Sequence, residues 1–196
     1  MARPAEFDRQ LVLEKSMRLF WQHGYANTSI QRLGKQLKMH PGSLYGAFKS
    51  KRQLFLEALE CYFEHSSEQM RLLLKSGEGS LQGVRLFFGY LVEKICNDQS
   101  AKGCLMVNTA TELAGGHPDE AVRLRLQAMF ESHEQQLREV LQEAKEKGQL
   151  GPEQDPDTLA RYLMVGIRGL RLYGQLQPDR GELESVVEQL LAPLDG

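Results

Sequence analysis

Apolar residues recur at helical spacing along nearly the whole chain. Val12, Ser16, Leu19 and Phe20 follow an i, i+4, i+7, i+8 pattern, which predicts a first helix from about Glu6 to His23, with Gly24 ending it. Thr28-Ser29 can cap a second helix whose Ile30, Leu33 and Leu37 face inward. Lys38-Met39-His40 is a short connection. Pro41, suited to a first helical turn, opens a third helix to about Phe48 with Leu44 and Phe48 inward. Ser50 caps a long fourth helix to about Lys75, and Gly77-Glu78-Gly79-Ser80 reads as a linker. Further helices are expected over about Ser80–Cys96, Gly103–Leu113, Pro118–Lys147, Asp157–Tyr173 and Arg180–Leu191, with breaks at Asn97–Lys102, Gly115-Gly116-His117-Pro118 and Gly151–Pro156. No segment alternates like a strand and none repeats. The pattern predicts an all-α protein of about nine helices.

The charge distribution adds a functional direction. Of the whole chain's 24 Lys/Arg and 26 Asp/Glu, residues 1–52 hold ten bases and three acids, so this head carries +7 and the remaining body −9. A basic head on an acidic body suits a head that meets a polyanion. Two helices joined by a three-residue turn, resting on a third, form a helix-turn-helix over about residues 29–48. Met39, His40, Pro41, Gly42, Ser43, Tyr45 and Gly46 are its candidate groove-facing positions. The small residues allow close approach, and Ser43 and Tyr45 offer hydrogen bonds to base edges. Thr28, Ser29, Lys49 and Lys51, at helix ends, are candidate phosphate contacts. Short helix pairs also occur in domains that bind no DNA, and a solvated basic face is the plainer alternative.

Composition excludes other classes. The chain is 41% hydrophobic and 26% charged, ordinary for a folded soluble protein, and no window approaches the roughly 20 apolar residues of a membrane span. With no apolar leader at the N-terminus, a cytoplasmic location is expected. Three cysteines make no disulfide framework. Gly77-x-Gly79-x-x-x-Gly83 misses the dinucleotide spacing. No phosphate loop, HExxH or nucleophile elbow occurs, so no enzyme activity and no cofactor are expected. Cys61 and His65 stand i, i+4, but two ligands make a weak metal signal, and no metal site is expected.

Phe20-x-x-x-Gly24-Tyr25-x-x-Thr28-Ser29-Ile30, followed by Gly42-Ser43-Leu44-Tyr45-x-x-Phe48-Lys49-Ser50-Lys51-x-x-Leu54, resembles the N-terminal domain of TetR/AcrR-family regulators over about residues 6–66. Two positions depart from the family pattern. His40 stands where a small polar cap is usual, and Lys38 where the turn often has glycine. The wording around Pro41–Tyr45, with a cysteine near the start of the sixth helix, resembles the branch containing the family's N-ethylmaleimide-sensing repressor. The resemblance implies a DNA-binding domain at 1–52 and an effector-binding and dimerisation domain at 53–196. It also implies a homodimer on a near-palindromic double-stranded operator. The expected activity is repression, relieved by a small apolar or aromatic effector of unknown identity or by thiol modification. A helical adaptor or RNA-binding protein without operator specificity is the alternative.

The resemblance also assigns the dimer seam to the last two helices, where Leu159, Leu163, Gly166, Leu170, Val187 and Leu190 are the candidates; the same stripes could close the monomer's own core. Phe87, Phe88, Tyr90, Met106, Met129, Phe130, Tyr162 and Met164 are candidate pocket residues, since aromatics and methionines suit an adaptable apolar cavity, though they suit a core equally. Cys104, near a helix N-terminus and Lys102, is a candidate redox sensor. The related repressor also uses a lysine in its C-terminal helices, whereas this chain has none after Lys147.

Overall fold

The computed structural model describes residues 7–76, 80–98, 102–115 and 119–195. The breaks expected around Gly77–Gly79 and Gly116–Pro118 lie outside these residues. The described residues form nine α-helices and no strand: α1 Arg9–His23, α2 Ile30–Leu37, α3 Pro41–Phe48, α4 Lys51–Leu74, α5 Ser80–Cys96, α6 Leu105–Ala114, α7 Glu120–Glu146, α8 Pro156–Tyr173 and α9 Arg180–Leu191. Short 3₁₀ turns follow α8 and α9.

Side-chain caps fix most of these starts. Asp8 accepts from the amides of Gln10 and Leu11, so α1 begins at Arg9 rather than at Glu6. Ser29 and Ser50 cap α2 and α4, and Asp119 and Asp155 cap α7 and α8. Asp179 and Glu182 exchange bonds in a capping box at α9. Each supplies an acceptor to amides that have no partner inside the helix.

Two cores divide the molecule. The first packs Phe20, Leu33, Leu44, Phe48 and Phe55 of α1–α4 against Leu105 and Met106 of α6 and Val122, Leu126 and Met129 of α7. The core of the head therefore continues well past residue 52. The second joins the end of α4 to α5, the second half of α7, α8 and α9. α4 and α7 run through both and so link the two cores as continuous helices.

Candidate nucleic-acid interface and ligand cavity

The helix-turn-helix forms as the sequence predicts. Leu44 and Phe48 anchor α3 in the first core. His40, Pro41, Gly42, Ser43, Tyr45 and Gly46 are exposed, and Met39 is half-buried. Lys38 adopts the left-handed conformation (φ 55°, ψ 40°) usually filled by glycine, and Lys49, after α3, also has positive φ (62°). Gly34, which the motif reading passes over, is required here. A Cβ on it would lie 2.7 Å from the Met39 carbonyl oxygen, so only glycine lets α2 and the turn close this tightly. His40 precedes α3 without a side-chain capping bond, and its imidazole stays on the exposed face.

The expected phosphate contacts divide. Ser29 and Lys49 are exposed at helix ends. Thr28 is fully buried and its hydroxyl donates to the Gly24 carbonyl at 2.6 Å, so it braces the α1–α2 turn instead of reaching phosphate. Lys51 is half-buried with its ammonium 4.2 Å from the centre of the Tyr25 ring, and burial lowers its pKa. Its charge is therefore directed into the turn.

That turn is held by the body. The Glu112 carboxylate, near the end of α6, accepts from the backbone amides of Tyr25 (2.9 Å) and Ala26 (2.5 Å). Arg52 at the start of α4 pairs with Asp119 at 2.8 Å. The Trp21 indole of α1 donates to the Lys102 carbonyl just ahead of α6 at 3.3 Å. α6 thus touches the head at both of its ends.

The first turn of α6 also walls a cavity of about 500 Å³. Among the expected pocket residues, Phe87, Tyr90, Met106, Phe130 and Met164 line it. Three do not. Phe88 and Met129 are sealed in the second and first core respectively, and Tyr162 stands on the outer face of α8, 40% exposed. Cys104 lines the cavity at the N-cap of α6, half-buried, and Tyr62 lines the same cavity. The sequence reading misses the polar wall formed by His133, Arg168 and Arg171. Its signal is the i, i+3 arginine pair amid the apolar residues of α8. Cys61 and His65 form a contact within one helix, the His65 Nδ1 lying 2.8 Å from the Cys61 carbonyl oxygen. No group of three or more His, Cys, Asp or Glu able to hold a metal occurs among the described residues.

The expected seam residues Leu159, Leu163, Leu170 and Val187 are buried in the monomer's own second core. Gly166 faces Leu190 of α9, whose methyl carbon would stand 2.7 Å from an added Cβ, so this glycine serves packing within the chain. The outward face of the pair is different: Tyr162, Val165, Tyr173 and Val186 are exposed, and Gly169 opens onto free space. No helix among the described residues is long and apolar enough to cross a membrane.

Comparisons with known proteins agree with this architecture. Residues 12–58 match the family model described as bacterial regulatory proteins, tetR family, and residues 80–190 match the tetracyclin repressor-like C-terminal domain. The uncharacterised HTH-type transcriptional regulator YezE of Bacillus subtilis is 31% identical over the full length of both chains. The HTH-type transcriptional repressor ComR of Escherichia coli is 29% identical over 87% of this chain and 80% of its own. A cysteine-substituted form of the regulator CifR, solved on a 26-base-pair operator duplex, superposes with a TM-score of 0.88 at 31% identity, covering 98% of this chain and 100% of that one. The chain belongs to the TetR family of DNA-binding transcriptional regulators, which are not enzymes.

Proposed function

We propose that the protein is a cytoplasmic repressor, working as a homodimer and released from a near-palindromic operator when a small effector enters the α4–α8 cavity. The observation that carries the coupling is the placement of α6. Its first turn walls the cavity and its last turn holds the α1–α2 turn through Glu112. An effector that binds the released state more tightly moves the equilibrium by that difference in affinity alone. The helix positions then set the distance between two recognition helices, which must meet grooves about 34–36 Å apart or a multiple of this. His40, Pro41, Gly42, Ser43, Tyr45 and Gly46 read the major groove in this reading, and Ser29 and Lys49 position the head on phosphate.

The outward face of α8 and α9 supplies the dimer seam. Tyr162, Val165, Gly169, Tyr173 and Val186 form an apolar stripe continuing over the partly exposed Leu190. A second trigger, modification of Cys104, is supported by its half-buried place on the cavity wall at the start of α6. Replacing Cys104 with serine then abolishes oxidant-triggered release, and unchanged release removes this trigger from the account.

Fluorescence anisotropy of the protein on duplex DNA from upstream of its own gene tests the whole reading, with RNA of matched sequence as competitor. Tight, sequence-selective and steeply salt-sensitive binding to duplex is expected. Equal binding to RNA and to scrambled duplex would leave a basic adaptor without operator specificity.

A further inference from the structure

The cavity has a charge that neither the acidic body nor its apolar lining foretells. Arg168 and Arg171 of α8 and His133 of α7 share one stretch of its wall. No ion pair involves Arg168 or Arg171 among the described residues. The nearby Glu134 carboxylate is engaged by Arg138 at 3.1 Å and stands 3.7 Å from Arg161. The Arg168 guanidinium lies 4.4 Å from the centre of the Phe130 ring. Both Arg168 Nε and His133 Nε2 are buried without a hydrogen-bond partner. Both belong to side chains that line this cavity. Other charges are arranged around them. Arg18 and Lys94 line the cavity as exposed residues, His65 is likewise exposed, and Glu14 is the one carboxylate in the lining among the described residues. The rest of the lining is aromatic and aliphatic: Trp21, Phe87, Tyr90, Met106, Phe130 and Met164.

We infer that the effector is a small aromatic or otherwise apolar molecule carrying an anionic group such as a carboxylate, held by Arg168, Arg171 and His133 while its ring or chain lies among the aromatic and methionine side chains. This rests on the reading of the cavity as the effector site and narrows the class of ligand. A planar carboxylate matches the fork of a guanidinium, and a charge-assisted bond is about twice as strong as a neutral one. A neutral hydrophobe of the same shape would leave both guanidiniums of this wall without a counter-charge, and a cation would face two arginines.

Calorimetric titration of the full-length protein with benzoate, 4-phenylbutyrate and 2-naphthoate tests this, each compared with its primary amide and the corresponding amine. At least one carboxylate is expected to bind once per chain, about tenfold or more tighter than its amide, with no heat from the amine. Arg168→Gln and Arg171→Gln should bring acid and amide to nearly equal affinity. Arg168→Lys, keeping the charge but losing the fork, should show an intermediate preference. Operator binding and a cooperative melt by each variant without ligand establish that it is folded. An amide that binds as well as its acid, or a preference that survives both glutamine variants, overturns the anionic assignment while leaving the cavity as the effector site. If no carboxylate binds and the neutral amides release the operator, the assignment again falls alone. If no probe of any charge binds, it falls together with the cavity reading.

Discussion

Replacing Glu112 by alanine removes two hydrogen bonds that cross from the body to the head. The wild-type carboxylate accepts from the amides of Tyr25 and Ala26, at 2.9 and 2.5 Å, and its oxygen sits 3.1 Å from where a side chain on Gly24 would begin. A hydrogen bond to a charged group contributes roughly 1.5–3 kcal/mol when buried. Glu112 is only half-buried and water can replace it at the Ala26 amide, so each bond falls below that range, to about 1 kcal/mol, or about 2 kcal/mol for the pair. For a chain of this size that is a fall in melting temperature of roughly 4–8 °C. Glu112→Gln keeps one acceptor without the charge and should lose about half as much. Both are read by circular dichroism melts at neutral pH. The same substitutions should weaken the effect of effector on operator affinity while leaving effector affinity for the free protein nearly unchanged. Wild-type melting temperatures for both variants, together with full effector response, would refute the claim that α6 grips the head through this residue.

Other outcomes follow from features elsewhere. Lys38→Gly relieves a left-handed lysine and should raise stability by about 0.5–1 kcal/mol, seen as a melt shifted upward by a few degrees. Gly34→Ala drives a methyl against the Met39 carbonyl and should cost about 1–3 kcal/mol, with loss of operator binding by anisotropy. Val165→Glu places a charge on the apolar outer face of α8 and should give monomers in sedimentation velocity with an unchanged helical spectrum. His133 has its pKa lowered from 6.5 to about 4 by burial and by Arg168 and Arg171, so the unfolded chain takes up a proton first as pH falls. Its contribution is complete above about pH 6.5 and is lost progressively toward pH 4. Urea melts at pH 7 and pH 5 should differ by about 2 kcal/mol more in wild type than in His133→Gln.

The head is legible in the sequence because its determinants are local. Ser29, Pro41 and Ser50 mark helix starts whatever surrounds them, and Leu44 with Phe48 sets the buried side of α3 within two turns. Thr28 and Ser29 are chemically alike and adjacent, yet one is buried and the other exposed, since the turn geometry that separates them depends on Tyr25 packing against Phe55. α8 shows a different limit. Periodicity picks out Leu159, Leu163 and Leu170, which the chain covers itself, and does not mark Tyr162, Val165 and Tyr173 as its open apolar face. In the cavity, selection by apolar character finds Phe87, Tyr90, Met106, Phe130 and Met164 and passes over Arg168 and Arg171, because charge on a helix ordinarily marks the solvent side. The bonds from Glu112 to Tyr25 and Ala26 span 87 and 86 residues, and no local pattern announces such a contact.

Trp21 is the chain's single tryptophan. Its ring lines the cavity, stands edge-on to Tyr62 at 5.1 Å, and bonds through its nitrogen to the segment that leads into α6. All indole emission from the protein therefore originates beside the cavity proposed as the effector site and against the segment that leads into α6. The native molecule has a built-in optical probe, and stopped-flow fluorescence with no added dye can time effector entry against the release of DNA.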